Sequence, residues 1–223
     1  MRADDDSAVY GTWSVYRCVL FETNRNGQLY TLSGGQWYRV SLSFQQQVNA
    51  YANALPRLDI GLPDADDDCS EGGVHRQGRR RHGALSLDQQ LARDSVPTPV
   101  EICDMLTSTG QPIHVKKRGC SSTLSHLFAQ GLVSAELLLQ SQEFRTETRR
   151  KAADLDAAFA EVLPADAPAR DAHEVSYVVI TRGRRRLDAP LTLPFFSVVN
   201  LRAAAQRLYA LGFKVSVAEV REQ

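Results

Sequence analysis

The sequence lacks the features that mark membrane proteins, secreted proteins and small zinc proteins. No apolar run approaches the roughly 18 residues that a membrane-spanning helix needs, so we expect no membrane contact. The first segment, MRADDDSAVYG, is acidic and has no basic stretch followed by an apolar one, which predicts a cytoplasmic location. The four cysteines include no Cys-x-x-Cys pair, which argues against zinc or redox chemistry. We expect free thiols, with Cys18 and Cys103 as small core residues because both lie in apolar runs.

The chain also lacks net charge, since 26 basic residues balance 26 acidic ones. The charges are nevertheless clustered, with acid at 4–6 and 64–68 and base at 76–82, 116–118, 145–151 and 182–186. A local basic cluster attracts a polyanion whatever the total charge is, and arginine suits phosphate oxygens. We therefore name Lys117, Arg118, Arg184 and Arg185 as candidate contacts to DNA or RNA. The same clusters would also serve as solvated surface.

The N-terminal part, residues 1–43, is predicted to be a β-hairpin module. Two segments rich in aromatic and β-branched residues, 14–23 and 29–41, flank an Asn-Gly turn signal. Gly34 and Gly35 fall inside the second segment and predict a bulge or bend in that strand.

The remainder, residues 44–223, is predicted to be one α/β core domain. With 43% hydrophobic and 23% charged residues, the 223-residue chain has the composition of a globular protein. We expect a polar, partly disordered loop at 59–83 and an undecided strand or short helix at 84–92. The other predicted elements are helices at 44–58, 120–163 and 200–212 and strands at 99–107, 112–118, 174–182 and 213–220. This order predicts a mixed α/β (α+β) fold, an antiparallel β-meander with flanking helices.

The two strands at 99–107 and 112–118 carry the candidate site. Side chains alternate between faces along a strand, so His114 and Lys116 point the same way. Pairing across the turn would bring an acid, Asp104 or Glu101, close to them. Carboxylates that hold a divalent cation beside a lysine are what metal-assisted phosphodiester cleavage requires. We therefore expect Mg²⁺ as cofactor, Asp104 and Glu101 as ligands, His114 as ligand or base, and Lys116 as charge stabiliser.

The pattern Asp104-x9-His114-x-Lys116 resembles the signature of PD-(D/E)xK nucleases. The order of helix, three-stranded meander, helix and strand over residues 44–182 is similar to the core of that fold, so the resemblance implies a restriction-endonuclease-like core. The chain departs from the pattern at His114, where Glu or Gln is usual, and it has no Pro-Asp dipeptide before the hairpin. Histidine makes a poorer ligand for a hard cation than a carboxylate oxygen does.

The acidic positions of the same motif can also be assigned to a second set of residues. In that alternative Asp88 is the strand carboxylate, Glu101 is the second acid, and Lys116 keeps its role. Glu71 could be the helix-borne acid that some nucleases of this type use.

A longer stretch, from EICDMLTSTGQPIHVKKRG through SAELL with LYTLSGGQWYRV upstream, resembles a sporadically distributed bacterial family of uncharacterised function. Its members are generally longer, which implies that this chain corresponds to their C-terminal half. A missing N-terminal half, or a second copy of the chain, could then complete a site. The scattered occurrence of that family fits mobile-element or defence genes.

Other residues allow two interpretations. His126, after the second strand, could be a general base or a solvent-facing helical residue. Trp13, Trp37 and Tyr38 could stack on bases or could pack across the hairpin. The alternative to a nuclease is a non-catalytic module that binds nucleic acid or docks a protein partner.

Overall fold

A computed structural model describes residues 14–58, 83–119, 121–169, 171–182 and 190–222. The chain divides into two compact units, Met1–Gln47 and Val48–Gln223. Helix α2, Leu42–Ala54, contains this division and also the predicted boundary between residues 43 and 44. The loop predicted at 59–83 lies outside the described residues except for Gly83. Within the described ranges, every helix is too short or too polar to cross a bilayer.

The first unit has a three-stranded antiparallel sheet. Strands β1 (Phe21–Arg25), β2 (Gln28–Ser33) and β3 (Gln36–Arg39) pair in the order β1-β2-β3. Asn26 and Gly27 have φ values of 53° and 75°, so the predicted Asn-Gly hairpin turn is confirmed. Gly34 and Gly35 have φ values of 59° and 78° and make a second tight turn. The predicted bulge is therefore wrong, because the chain reverses at these glycines and starts a third strand.

The start of the first predicted strand is also wrong. Residues Val15–Cys18 form a short helix, α1, and β1 begins only at Phe21. Cys18 is a free thiol but is exposed, whereas Cys103 is a free thiol in the core as predicted. The apolar run around Cys18 indicated burial, but a single helical turn with no buried residue provides none.

The second unit is built on a five-stranded mixed sheet in the order β10-β9-β8-β7-β4. Strand β7 (Met105–Leu106) pairs antiparallel with β4 (Leu85–Ser86) on one side and with β8 (Pro112–Lys117) on the other. Strands β8, β9 (Glu174–Arg182) and β10 (Lys214–Glu222) run parallel. The mixed α/β class and the antiparallel hairpin within it are confirmed.

Helices cover the sheet. These are α3 (Ser121–Gln140), α4 (Gln142–Leu155) and α5 (Phe195–Leu211), with a short 3-10 helix at Ala157–Ala160. The main apolar core lies between one sheet face, including Val175, Tyr177 and Val215, and residues of α2, α3 and α5. A second cluster covers the other face of the sheet, including Ile113, Val115 and Val178.

Helix α3 packs where its sequence periodicity predicts. Its apolar residues recur at helical spacing, and they are buried at Leu124, Leu127, Phe128, Ala135 and Leu138 and half-buried at Leu132. Gly131 lies over the ring of Tyr177, and a β-carbon there would come within 2.6 Å of the tyrosine oxygen. The helix needs glycine at this point because the sheet approaches so closely.

Residues 99–107 do not form one strand as predicted. Strand β6, Val100–Glu101, pairs with β5, Leu91–Ala92, in a separate two-stranded sheet. Only Met105–Leu106 of this segment joins the large sheet. The alternation of faces assumed for this segment is therefore wrong between Ile102 and Asp104, where the chain changes sheets.

Candidate metal centre

Asp104 immediately precedes β7, the strand that pairs with β8 in the large sheet. Its backbone N–H donates to Ile113 O at 3.1 Å, and its carbonyl accepts from Leu87 N at 2.9 Å. Strand β7 begins at Met105, so the next outward donor of β8, the N–H of Val115, has no strand beside it. The carboxylate of Asp104 takes that position, with Oδ2 accepting from Val115 N at 2.6 Å. Asp104 is only 6% exposed, and backbone groups provide its hydrogen bonds in place of water.

Glu101 is positioned by two neighbouring elements. Its Oε1 accepts from the backbone N–H of Gln89 at 3.3 Å, and its Oε2 accepts from the side-chain amide of Gln130 on α3. Ser134, one turn further along α3, donates to Ile102 O at 2.6 Å. Helix α3 therefore fixes the irregular segment that connects β6 to β7.

Asp88 completes the group from the turn after β4. Gln90 N donates to Leu87 O at 2.9 Å, and Gln89 adopts a φ of 62°, which closes a tight turn around Asp88. One ligand oxygen from each of Asp88, Glu101 and Asp104 lies within 4.8 Å of the other two. These three acids were all named from the sequence, but in two competing registrations; the structure brings all three together.

The electrostatic environment of the cluster acts on the pKa of Asp104. The pKa of Asp104 is raised from 3.8 to about 7, with burial as the largest cause and the negative charges of Glu101 and Asp88 as smaller ones. The Val115 N–H and the ammonium group of Lys116 act in the opposite direction and lower it. The charge of Lys116 therefore acts on Asp104.

The three acids fit a hard divalent cation. Carboxylate oxygens are the preferred ligands of Mg²⁺ and Ca²⁺, and two oxygens on opposite sides of one ion lie about 4–5 Å apart. The 4.8 Å limit within the cluster is on that scale. Burial is the main cause of the raised pKa of Asp104, and a cation would offset the smaller contribution from the repulsion by Glu101 and Asp88.

His114 does not join this cluster. It is 1% exposed and lies against Tyr177, with ring centroids 6.1 Å apart. Burial lowers its pKa to about 4, so the imidazole is neutral at physiological pH. Its Nε2 has no hydrogen-bond partner among the residues the structure describes.

The basic residues after His114 occupy the end of β8. Lys116 and Lys117 are half-buried and, as consecutive strand residues, point to opposite faces. Arg118 is exposed and donates to Thr192 Oγ1 at 3.3 Å. Arg184 and Arg185, proposed to contact nucleic acid, lie outside the described residues, and so does Glu71.

A shallow cavity adjoins Glu101 on the side of α3. Its volume is about 350 Å³, and its lining includes Glu101, Gln130 and His126. His126 is exposed there. Sequence reasoning did not assign Gln130 a role with Glu101, because a glutamine on the polar side of an amphipathic helix carries no signal of its partner.

Comparison with known proteins adds a family but no activity. No curated protein and no solved structure matches the chain. One family model matches residues 1–221, which is nearly the whole sequence, and this gives no support to the prediction that the chain is the C-terminal half of a longer relative. The expectation of an uncharacterised family is confirmed: the chain belongs to the family of unknown function DUF6119.

Proposed function

We propose that this protein is a divalent-metal-dependent nuclease that cleaves phosphodiester bonds of DNA or RNA. The observation that carries the proposal is the convergence of Asp88, Glu101 and Asp104, whose ligand oxygens lie within 4.8 Å of one another. The positive charge of Lys116 acts on the same group. A role of this nuclease in a mobile element or in defence remains a prediction.

The roles follow from the chemistry of each side chain. The three carboxylates would hold Mg²⁺, and the bound ion would polarise the phosphate and lower the pKa of a water. Lys116 would stabilise the negative charge that develops on the phosphate oxygens. The proposal leaves out His114, because a neutral, fully buried imidazole outside the cluster reaches neither the ion nor the solvent.

The strand order supports the same proposal. The resemblance to PD-(D/E)xK nucleases implies a helix, three antiparallel strands, a helix and a further strand. Helix α2, strands β4, β7 and β8, helix α3 and strand β9 follow one another in that order, with β5 and β6 in a sheet of their own. Asp104 precedes β7 and Lys116 lies on β8, which are the central pair of that series.

A cleavage assay on the purified full chain tests the proposal. Labelled single-stranded and duplex DNA and RNA are incubated in EDTA, in Mg²⁺ and in Mn²⁺, and cleavage is expected only with a divalent ion. Lys116→Ala should reduce kcat by about 100-fold or more, the scale for removing one charge-stabilising group. Lys214→Ala is the matched control, because Lys214 is an exposed lysine at the start of β10, the strand at the opposite edge of the sheet from β4.

Two results would contradict the nuclease. One is cleavage that persists in EDTA, and the other is equal activity of the Lys116 and Lys214 variants. Salt-sensitive binding of nucleic acid without any cleavage, unchanged in Asp104→Asn, would favour the alternative of a non-catalytic binding module.

A further inference from the structure

One face of the sheet in the first unit combines aromatic and arginine side chains. In the strand register Leu32 pairs with Phe21 on one side and with Trp37 on the other. Tyr30 pairs with Arg39, and Gln28 pairs with Arg25. Directly paired residues share a face, so one side of the sheet presents a set that we call the aromatic face: Phe21, Arg25, Tyr30, Leu32, Trp37 and Arg39.

The aromatic rings lie over the sheet and remain accessible. Phe21 and Trp37 meet edge to face, with centroids 6.2 Å apart and ring planes at 85°. Leu32, between them in the register, is only 5% exposed, whereas Phe21 and Trp37 are each 51% exposed. A large part of both aromatic residues therefore faces solvent.

The charge on this face has one sign. Arg25 and Arg39 are both exposed. Glu22, the acidic residue of these strands, lies one position from Phe21 and so points to the opposite face, where it pairs with Thr31. An anionic ligand would therefore meet two guanidinium groups and no carboxylate from the three strands.

A cavity on the same face is large enough for a planar ring. It has a volume of about 520 Å³, and Arg25, Tyr30 and Trp37 contribute to its lining. That volume falls within the usual range of small-ligand pockets. The cavity places an arginine beside two aromatic side chains, which matches a ligand that carries a base and a phosphate together.

We propose that the aromatic face binds single-stranded nucleic acid. Bases stack on Trp37 and Phe21, and the phosphates contact Arg25 and Arg39. A single strand fits better than a duplex, because the flat faces of its bases are free to stack on side chains. The idea that this single strand is also the substrate of the acidic cluster rests on the function proposed above. The binding itself requires neither a metal nor cleavage.

Fluorescence anisotropy of the full chain with labelled oligonucleotides tests the proposal. The probes are a 12-nucleotide thymidine strand, the matching uridine strand and a 12-base-pair DNA duplex, all in EDTA so that no metal-dependent cleavage occurs. Both single strands should bind more tightly than the duplex. Trp37→Ala should weaken single-strand binding about tenfold or more, as expected for the loss of a stacked base.

Tyr38→Ala is the matched control. Tyr38 is the next residue, is also 51% exposed, and points to the opposite face of the same sheet. Its removal should change the affinity less than twofold. Arg39→Ala should reduce the salt dependence, lowering the slope of log K against log salt by about 0.7, the value for one phosphate contact on a single strand.

The outcomes separate this proposal from the nuclease. Equal effects of the Trp37 and Tyr38 variants, or equal affinity for duplex and single strands, would overturn the binding face even if the protein cleaves nucleic acid. Conversely, Trp37-dependent binding in EDTA without cleavage in Mg²⁺ or Mn²⁺ would support the binding face and reject the nuclease. Preference for the uridine or the thymidine strand identifies which nucleic acid the face takes.

Discussion

Replacing Asp104 by asparagine should stabilise the metal-free protein at neutral pH. The two side chains have nearly the same shape, and the asparagine oxygen can still accept the hydrogen bond from Val115 N. Its amide group would donate toward the carboxylates of Glu101 and Asp88, where the aspartate now repels them. The substitution removes the one carboxylate of the cluster that lies in the core.

The size of the effect follows from the pKa of Asp104. Because the folded-state pKa is raised from 3.8 to about 7, the carboxyl group favours the folded protein below pH 3.8 and loses that effect as pH rises to about 7. At 1.36 kcal/mol per pKa unit, the loss amounts to about 4 kcal/mol above pH 7. Asp104→Asn should therefore match the wild type near pH 3.5 and exceed its free energy of unfolding by up to about 4 kcal/mol at pH 8.

The pH dependence of the wild-type free energy of unfolding would not by itself reveal this effect. His114 has a folded-state pKa lowered from 6.5 to about 4, so its contribution to stability is present above pH 6.5 and is lost as pH falls toward 4. Between about pH 4 and 6.5 the two residues therefore act in opposite directions. The difference between variant and wild type removes the contribution of His114, which both proteins share.

Urea denaturation followed by circular dichroism measures the difference at pH 3.5, 5, 6.5 and 8 in EDTA. Asp154→Asn is the control for the chemical change, because Asp154 is an exposed partner of Arg150 at 3.7 Å and should matter by less than about 0.5 kcal/mol. Adding Mg²⁺ should stabilise the wild type and not the Asp104 variant, by about 2.7 kcal/mol at 100 times the dissociation constant.

Either of two results would refute the reasoning. A variant that is less stable than the wild type at pH 8 would mean that the aspartate charge is compensated in the fold. A difference that does not change with pH would mean that Asp104 is ionised in the folded and unfolded chains alike.

Local sequence patterns predicted the regular parts of the fold. Helix α3 was predictable because its apolar residues recur at helical spacing, and Leu124, Leu127 and Phe128 need only a flat apolar partner to be buried. The Asn26-Gly27 turn was predictable because its backbone angles suit these residue types. The same reasoning predicted a bulge or bend at Gly34 and Gly35, and only the pairing of β2 with β3 shows that the chain reverses there.

The geometry of the acidic cluster was not predictable, although its members were. In a continuous strand, Glu101 and Asp104 would point to opposite faces, since they are three residues apart. They converge because the chain leaves one sheet and enters another between them, and contacts from Gln130 and Ser134 on α3 hold that break. These contacts join residues about thirty positions apart, so no local sequence pattern predicts them.

Two further variants test how α3 supports the sheet and the cluster. Gly131→Ala would bring a β-carbon within 2.6 Å of buried Tyr177. The urea midpoint should therefore fall by the equivalent of about 1–3 kcal/mol, although alanine has the better helix propensity. A raised midpoint would contradict the close packing of α3 on the sheet. Gln130→Ala removes the side-chain donor to Glu101, so the carboxylate is less well oriented and Mn²⁺ affinity, measured by calorimetry, should fall about 10- to 100-fold. Gln140→Ala, at the exposed end of the same helix, is the control. Equal Mn²⁺ affinities of the two glutamine variants would show that α3 does not position Glu101 for a metal.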